Sequence, residues 1–440
     1  MITVNAQFTG MNTMLPTPWL ARPVLAYMIC VVLPVRVMAG PLQLTTLRLY
    51  MLAMLVPLLV HLARTRSFRL TGSDICLTLF VLWVGVAMSV NTPAQAVEHT
   101  GITALELLGG YLLARIYITT PGQFYALIKT LTVLILFCLP LALFETFTGR
   151  PPLIELIRAI PALSSVDIVS IAPRLGLERV QGVFAHPIHF GLFSSTAVSL
   201  LFVGLSQHLS LGLRLLGLAC VTVTAFLALS SGAFLSVLIQ FFLIGWSMVF
   251  AGLKRKWLVL FGTCAVAYVF VDLVSNRSPM RVFFSYATFS AHNAYWRSLI
   301  FEWGIVNVWN NPVFGLGLND WVRPHFMYSG SMDNFWLAGA VRYGIPGFVL
   351  LVAGWGLGLV RVARSTTPYP HLKTAWVICM VGLSFTLATV HVWTAVYSFV
   401  FFLFGAGQWL ATPTTAPSTP APLTFTRPFA PGFSRMEPRP

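Results

Sequence analysis

Four arginines and one aspartate stand out in a chain that is otherwise strongly apolar. Arg179 precedes one apolar segment, Arg281 and Arg297 lie in a long polar interval, and Arg342 lies inside another apolar segment, whose start is marked by Asp333. Arginine binds phosphate through a planar fork of donors, and a carboxylate nearby can take a proton as a general base. These residue types predict a site for a ligand that carries a phosphate or diphosphate.

Four further polar residues are candidates for the same site: His186, His189, Tyr295 and Asn334. The two histidines lie three residues apart in AHPIHFG, a spacing that can place them on one helix face. A metal site would need a third ligand, and the chain has no HExxH or similar motif. We therefore predict no metal and no other cofactor.

Several of these residues also have purely structural interpretations. Arg179 can extend from the membrane interface towards water, and Asp333 can cap the helix that begins after it. Gly315 and Gly317 lack the GxGxxG spacing of a phosphate loop and are more typical of a tight turn.

Arg342 is the least expected residue, because a charge within a membrane segment is energetically expensive and usually functional. Gly344, Pro346 and Gly347 come directly after it. They predict a break in the helix, so that Asp333–Tyr343 forms a short element beside a cavity. We expect the break to bring Asp333 and Arg342 to one site.

The elements that position these residues must lie in a membrane. Of 440 residues, 57% are hydrophobic and only 9% are charged, whereas soluble domains are about 25% charged. This composition excludes a soluble enzyme, a secreted disulfide scaffold and a nucleic-acid-binding domain. The basic residues that give the net charge of +15 lie mainly between apolar segments, which is typical of the loops of membrane proteins.

Apolar segments of roughly 20 residues, the length that crosses a bilayer, predict an all-α polytopic membrane protein with about twelve transmembrane helices. The last apolar segment is too long for one crossing at about 1.5 Å per residue, so we divide it near His391–Thr394. The predicted organisation is an N-terminus at 1–19, helices 1–5 at 20–147, a loop at 148–187, helices 6–9 at 188–274, a large loop at 275–334, helices 10–12 at 335–411 and a tail at 412–440.

The distribution of charge predicts the orientation. With both termini in the cytoplasm, sixteen of the 27 basic residues, including every lysine, fall in cytoplasmic segments, as the positive-inside rule expects. The loops 148–187 and 275–334 then face the periplasm of a bacterial inner membrane. Apolar residues at helical spacing over Asn293–Val308, before Asn310-Asn311-Pro312, predict a folded cap in the large loop. The proline- and threonine-rich tail predicts disorder.

At four places the residues resemble the O-antigen ligase and polysaccharide polymerase superfamily of bacterial inner-membrane glycosyltransferases. The resemblance covers about Arg179–Phe348. Its motifs are RVQGVFAHPIHFG, the turn LSSGAFLS with serine where the superfamily usually has arginine, Arg297 followed by Trp303 and NNPVFGLG, and DNFWLAGAVRYGIPG.

The resemblance implies a glycan donor on undecaprenyl diphosphate, which is transferred to an acceptor hydroxyl without a metal or a nucleotide sugar. It implies that Arg179 and Arg297 bind the diphosphate. Arg281 and Arg342 are additional candidates by residue type, and Asp333 is the predicted base for the acceptor hydroxyl. Ligases of the superfamily usually have histidine at the position of Asp333, so the aspartate favours a polymerase of lipid-linked repeat units.

Two alternatives stay open. A ligase would use the same donor but transfer finished polymer to lipid A-core. The expected acceptor is thus a lipid-linked glycan for the polymerase and lipid A-core for the ligase. A transporter or flippase of an anionic lipid or solute would account for Arg342, although the chain has no internal repeat of the kind that builds many transporters. A chain-length regulator is a further candidate partner, and nucleic acid is not expected to bind.

Overall fold

The computed structural model describes residues 20–39, 42–65, 68–161, 163–276, 282 and 291–412. The predicted N-terminal segment 1–19, nearly all of the predicted tail and Arg281 lie outside the described residues.

Each predicted apolar segment contains a helix, and local capping signals explain several of the starts. Thr71 with Asp74 and Thr120 with Gln123 form reciprocal capping boxes. The elements of the first half are α1 Arg22–Val32, α2 Thr46–Arg64, α3 Gly72–Asn91, α4 Pro93–Thr103, a π-helical turn Ala104–Gly109, α5 Gly110–Tyr117, α6 Pro121–Thr148 and the short α7 Pro152–Arg158.

The second half continues the same pattern. Its elements are α8 Pro187–Ser195, α9 Ala197–Ser199 with a π-helical turn Leu200–Gly204, α10 Leu211–Leu227, α11 Ser231–Val249, α12 Lys256–Val274, α13 Ala291–Asn310, α14 Phe335–Arg364, α15 Pro370–Leu387, α16 Thr394–Ala406 and a 3₁₀ turn Gln408–Ala411. The predicted helix of the large loop is thus present as α13, and it ends at Asn310 as the Asn-Asn-Pro signal predicts.

The protein is a mostly helical, multi-pass membrane protein. Within the described ranges, eight helices are long and apolar enough to cross a bilayer. The other four predicted spans correspond to α1, α4 with α5, α10 and α15, which are shorter, interrupted or less apolar. Twelve crossings therefore stay a prediction.

The helical fold also contains one small sheet, which the sequence did not predict. The first helix ends at Val32, because Pro34 disfavours the helical conformation in the residue before it. The chain then forms β1 Val35–Ala39, which pairs antiparallel with β2 Leu42–Thr45 and with β3 Ser164–Ser165. This small sheet joins the first helical hairpin to the loop after α6.

The bundle is organised around α14, which packs along α3, while α11 packs on α15 and α16 packs on α5. The helix α14 is interrupted at Gly344, where φ is 70° and ψ is −177°. A Cβ atom at this position would collide with the carbonyl of Val313. The predicted break is therefore present, and only glycine fits its conformation and its surroundings.

The large loop supplies the backbone partners that the break requires. The Ile345 N–H donates to the Pro312 carbonyl (2.8 Å), and the Arg342 carbonyl accepts from Gly317 (2.9 Å). Gly315 and Gly317 have φ values of 65° and 63°, which confirms the tight turn. Because the freed groups are paired with the NNPVFGLG segment, irregular backbone is tolerated within an apolar bundle.

Candidate active site

A cavity of about 780 Å³ lies where the N-termini of four helices converge. His186, Ser230 and Trp393 are the N-cap residues of α8, α11 and α16, and Asp333 immediately precedes the N-cap of α14. All four residues line the cavity. Because helix N-termini carry partial positive charge and unpaired N–H groups, this convergence alone favours an anionic ligand.

Three arginines add full positive charge to the same cavity: Arg174, Arg179 and Arg297. Burial, reinforced by Arg174, lowers the pKa of Arg179 to about 10, so its guanidinium is still charged at neutral pH. Burial also lowers the pKa of Arg297, against the opposing effect of Asp333. Arg297 and Asp333 therefore lie within electrostatic reach of each other.

Two guanidinium nitrogens at this site are buried without a hydrogen-bond partner among the described residues. They are Nε of Arg179 and Nη1 of Arg297. A buried donor without a partner costs about 1–3 kcal/mol, more when it is charged, and such groups are rare in folded proteins. An anionic ligand in the cavity would supply the missing acceptors.

The backbone next to Arg179 is held by a carboxylate at the end of α6. Glu145 accepts from the backbone N–H groups of Gln181 (2.8 Å) and Gly182 (3.1 Å). The Glu178 N–H donates to the Thr146 carbonyl at 3.1 Å. These bonds attach the segment 178–182 to the bundle and fix the backbone position from which the Arg179 side chain extends into the cavity.

Arg297 is positioned by the packing of α13 on α14. Ile300 and Leu337 belong to one apolar cluster, and Gly304 lies so close to Leu337 that a Cβ atom would be 2.5 Å from its Cδ2. Arg297 lies about one turn before Ile300, and both residues line the cavity. The helix α13 of the large loop is thus the element that places this guanidinium in the site.

Arg174 is a site residue that the sequence analysis did not identify. Its Nη1 donates to the Leu229 carbonyl at 2.7 Å, and Leu229 has a positive φ of 45°. The donor bond attaches Arg174 to the turn that contains Ser230 and Ser231, both of which line the cavity. No sequence pattern pointed to Arg174, because only the tertiary fold places it beside this turn.

Asp333 lies in the cavity as a carboxylate that does not cap the helix. The N-cap role belongs instead to Asn334, whose Oδ1 accepts from the Leu337 N–H at 3.0 Å. The Asp333 carboxylate accepts a hydrogen bond from the Ser331 hydroxyl at 2.9 Å. Asn334 is therefore a structural residue next to the site, and Asp333 lines the cavity together with the three arginines.

His186 lines the cavity as a neutral hydrogen-bond donor. Burial and the neighbouring Arg179 lower its pKa to about 4. Its Nδ1 accepts from the Ile188 N–H at 3.1 Å, so the proton of the neutral ring is on Nε2. A ring in this state donates to a ligand oxygen and is poorly suited to be the base.

The remaining candidates lie elsewhere. His189 is fully buried against Trp393, with ring centroids 3.9 Å apart, and Tyr295 is 55% exposed on α13. Neither residue is among those that line the cavity. In the described ranges, no group of three or more His, Cys, Asp or Glu side chains has the arrangement of a metal site.

Arg342 also departs from its predicted place. The break comes at Gly344, after Arg342, so Arg342 stays on the helical turn that begins at Phe335. It lines a second, smaller cavity of about 330 Å³, which does not include Asp333. The expectation that the break unites Asp333 and Arg342 in one site is therefore wrong.

Residues 216–352 match the family model described as O-Antigen ligase. The matched range includes Ser230, Arg297 and Asp333 but not Arg174 or Arg179. No curated protein matches the chain. The family match confirms the resemblance to the O-antigen ligase and polysaccharide polymerase superfamily.

Proposed function

We propose that this member of the superfamily polymerises oligosaccharide repeat units carried on undecaprenyl diphosphate, at the periplasmic face of the bacterial inner membrane. The observation that carries the proposal is the convergence of Arg174, Arg179 and Arg297 with Asp333 in one cavity. The arginines and the four helix N-termini suit a diphosphate, and the carboxylate suits a base.

The reaction is a displacement at the anomeric carbon of the donor glycan. The acceptor hydroxyl attacks that carbon while the Asp333 carboxylate takes the hydroxyl proton, and the bond from the anomeric carbon to the diphosphate oxygen breaks. Undecaprenyl diphosphate leaves with the bonding electrons. The product is one longer lipid-linked glycan and one free lipid diphosphate.

The arginines lower the barrier by stabilising the charge that develops on the leaving diphosphate. Their donors are held in place before the reaction, because Arg174 is attached to the Leu229 carbonyl and Arg297 to a packed helix. Removal of one preorganised group of this kind typically costs about 10²–10³ in rate. Neutral His186 adds a further donor, and the protein itself supplies every group that this mechanism uses.

The aspartate supports the polymerase over the ligase, because ligases of the superfamily usually have histidine at that position. The description of the matched family model supports the ligase, which would use the same cavity with lipid A-core as acceptor. A transporter is less well supported, since binding and release of an anion would not require a carboxylate beside three arginines.

The test is the size distribution of undecaprenyl-diphosphate glycans in membranes of a deletion strain. Accumulation of single repeat units is expected, and a plasmid carrying the wild-type gene should restore long chains. Accumulation of long lipid-linked chains would instead identify the ligase. An unchanged distribution would contradict both enzyme functions.

A further inference from the structure

The second cavity has a polar and aromatic lining that takes no part in the proposed reaction. It lies between α3, α4 and α14, and its wall combines charged groups with hydroxyls and aromatic rings. Arg48 and Glu106 form an ion pair of 2.8 Å there, and His99 is hydrogen-bonded to the Tyr343 hydroxyl at 2.7 Å. Glu106 belongs to a π-helical turn, a feature that is frequent at functional sites.

The charges of this cavity do not balance. The carboxylate of Glu106 is opposite the guanidinium of Arg48, so this pair is neutral as a whole. Arg342 forms no ion pair with the acidic residues of the described ranges. A cationic group inside an apolar bundle is expensive unless it is compensated, so the cavity is suited to an anion.

The two cavities share a thin wall. His391 and Trp393 line both of them, and the chain there is non-helical between α15 and α16. Thr394 comes next with a positive φ of 52°, which is unusual for a β-branched residue. Asp333 lies two residues before the start of α14, and Arg342 lies eight residues beyond the N-cap Asn334, which corresponds to about 12 Å along the helix axis.

From this arrangement we infer that the second cavity binds the diphosphate headgroup of the acceptor lipid, with Arg342 as its principal ligand. The inference rests on the proposed function, because only a polymerase joins two lipid-linked glycans and so holds two diphosphates at once. The first cavity holds the diphosphate that leaves, and the second holds the one that stays attached to the product.

Size and spacing agree with this assignment. A volume of about 330 Å³ is near the lower limit for ligand pockets, roughly 300 Å³, so it suits a headgroup with its first sugar. Tyr397 and Thr103 offer hydroxyls to that sugar, and Phe80 and Phe335 offer rings. An oligosaccharide that starts beside Arg342 can then extend past the shared wall and present its far hydroxyl to Asp333.

The test is the binding stoichiometry of radiolabelled farnesyl diphosphate to the purified full-length protein in detergent. Two equivalents are expected for the wild type. Arg342→Gln should weaken one of them by about tenfold or more, as expected for lost charge-assisted hydrogen bonds, and Arg297→Gln should weaken the other. Arg364→Gln, an exposed arginine of the same helix, should keep both.

A second variant separates the ligand site from an effect on folding. Ala338 lines the second cavity, and Ala338→Leu fills space there without removing a charge, so it should also abolish one equivalent. Two intact equivalents in both Arg342→Gln and Ala338→Leu would overturn the inference and leave the first site in place. No binding to the wild type at all would overturn the proposed function as well.

Inorganic pyrophosphate distinguishes a lipid headgroup from a free anion. We expect it to bind the second cavity more weakly than farnesyl diphosphate, because it lacks the isoprenoid chain. Equal affinity of the two probes for the site that Arg342→Gln removes would contradict a lipid ligand.

Discussion

Replacement of Asp333 by asparagine separates chemistry from binding at the candidate site. Asparagine has nearly the same shape, and its Oδ1 can still accept the hydrogen bond that Ser331 donates at 2.9 Å. The amide cannot take a proton from an acceptor hydroxyl. The variant should therefore fold and bind the donor normally while it loses the base.

The expected magnitude is set by the role of the group. A positioned general base contributes about 10²–10⁴ in rate, which corresponds to about 2.7–5.4 kcal/mol at 1.36 kcal/mol per tenfold. Because Asp333 lies near Arg297 and opposes its positive charge, its neutralisation should leave donor affinity unchanged or slightly stronger. A fall in kcat without a rise in donor KM is the expected signature.

The assay is the initial rate of polymer formation by purified protein from a lipid-linked repeat unit. Asp320→Asn is the matched control, because Asp320 lies in the same large loop, is largely exposed and pairs with Arg323 away from the cavity. Exposed pairs of this kind contribute about 0–1 kcal/mol, so the control should be nearly wild type. Wild-type kcat in Asp333→Asn would refute the assignment of the base.

Arg297→Gln should lower the turnover rate by about a hundredfold, and full rescue by Arg297→Lys would contradict a role for the planar fork of donors. His186→Gln should keep the wild-type pH dependence of turnover between pH 6 and 8. The pKa of the histidine is lowered to about 4, so the ring is neutral throughout that range and gains charge only as the pH falls towards 4. If the variant lost an acidic limb of the profile, the ring would be the base. Gly344→Ala should lower the thermal unfolding midpoint in detergent, because a left-handed non-glycine residue costs about 1–3 kcal/mol and its Cβ collides with a loop carbonyl. Gly356→Ala on the same helix, where nothing lies within 4 Å, should stay close to the wild type.

Much of this architecture depends on local chemistry and was therefore predictable from the sequence. The apolar segments, the helix stop at Asn310 and the glycine-dependent break at Gly344 each depend on a few adjacent residues. The pairing of β1 with β3 was not predicted because the two strands are about 130 residues apart, and pairing over that distance leaves no periodic signal in either segment. The β1–β2 hairpin was not predicted because its strands overlap the ends of the apolar segments that were assigned to the first two spans.

The membership of the site was only partly predictable for the same reason. Arg179, Arg297, His186 and Asp333 line one cavity, as their residue types indicated. Arg174 was missed, because only the tertiary fold places it beside the LSSG turn.

The grouping of Arg342 with Asp333 was wrong. A break in a helix redirects only the residues after it, and Arg342 precedes the break by two residues. Its helical turn therefore continues from Phe335 and faces the second cavity.

The most direct measurement of the central claim uses purified wild-type protein, reconstituted with a single lipid-linked repeat unit as the only glycan. If the cavity joins two lipid-linked substrates, a ladder of polymers should form, each rung one repeat longer than the last, with release of one lipid diphosphate per bond. If no ladder forms, and transfer appears only after lipid A-core is added, the protein is a ligase and the polymerase account is contradicted.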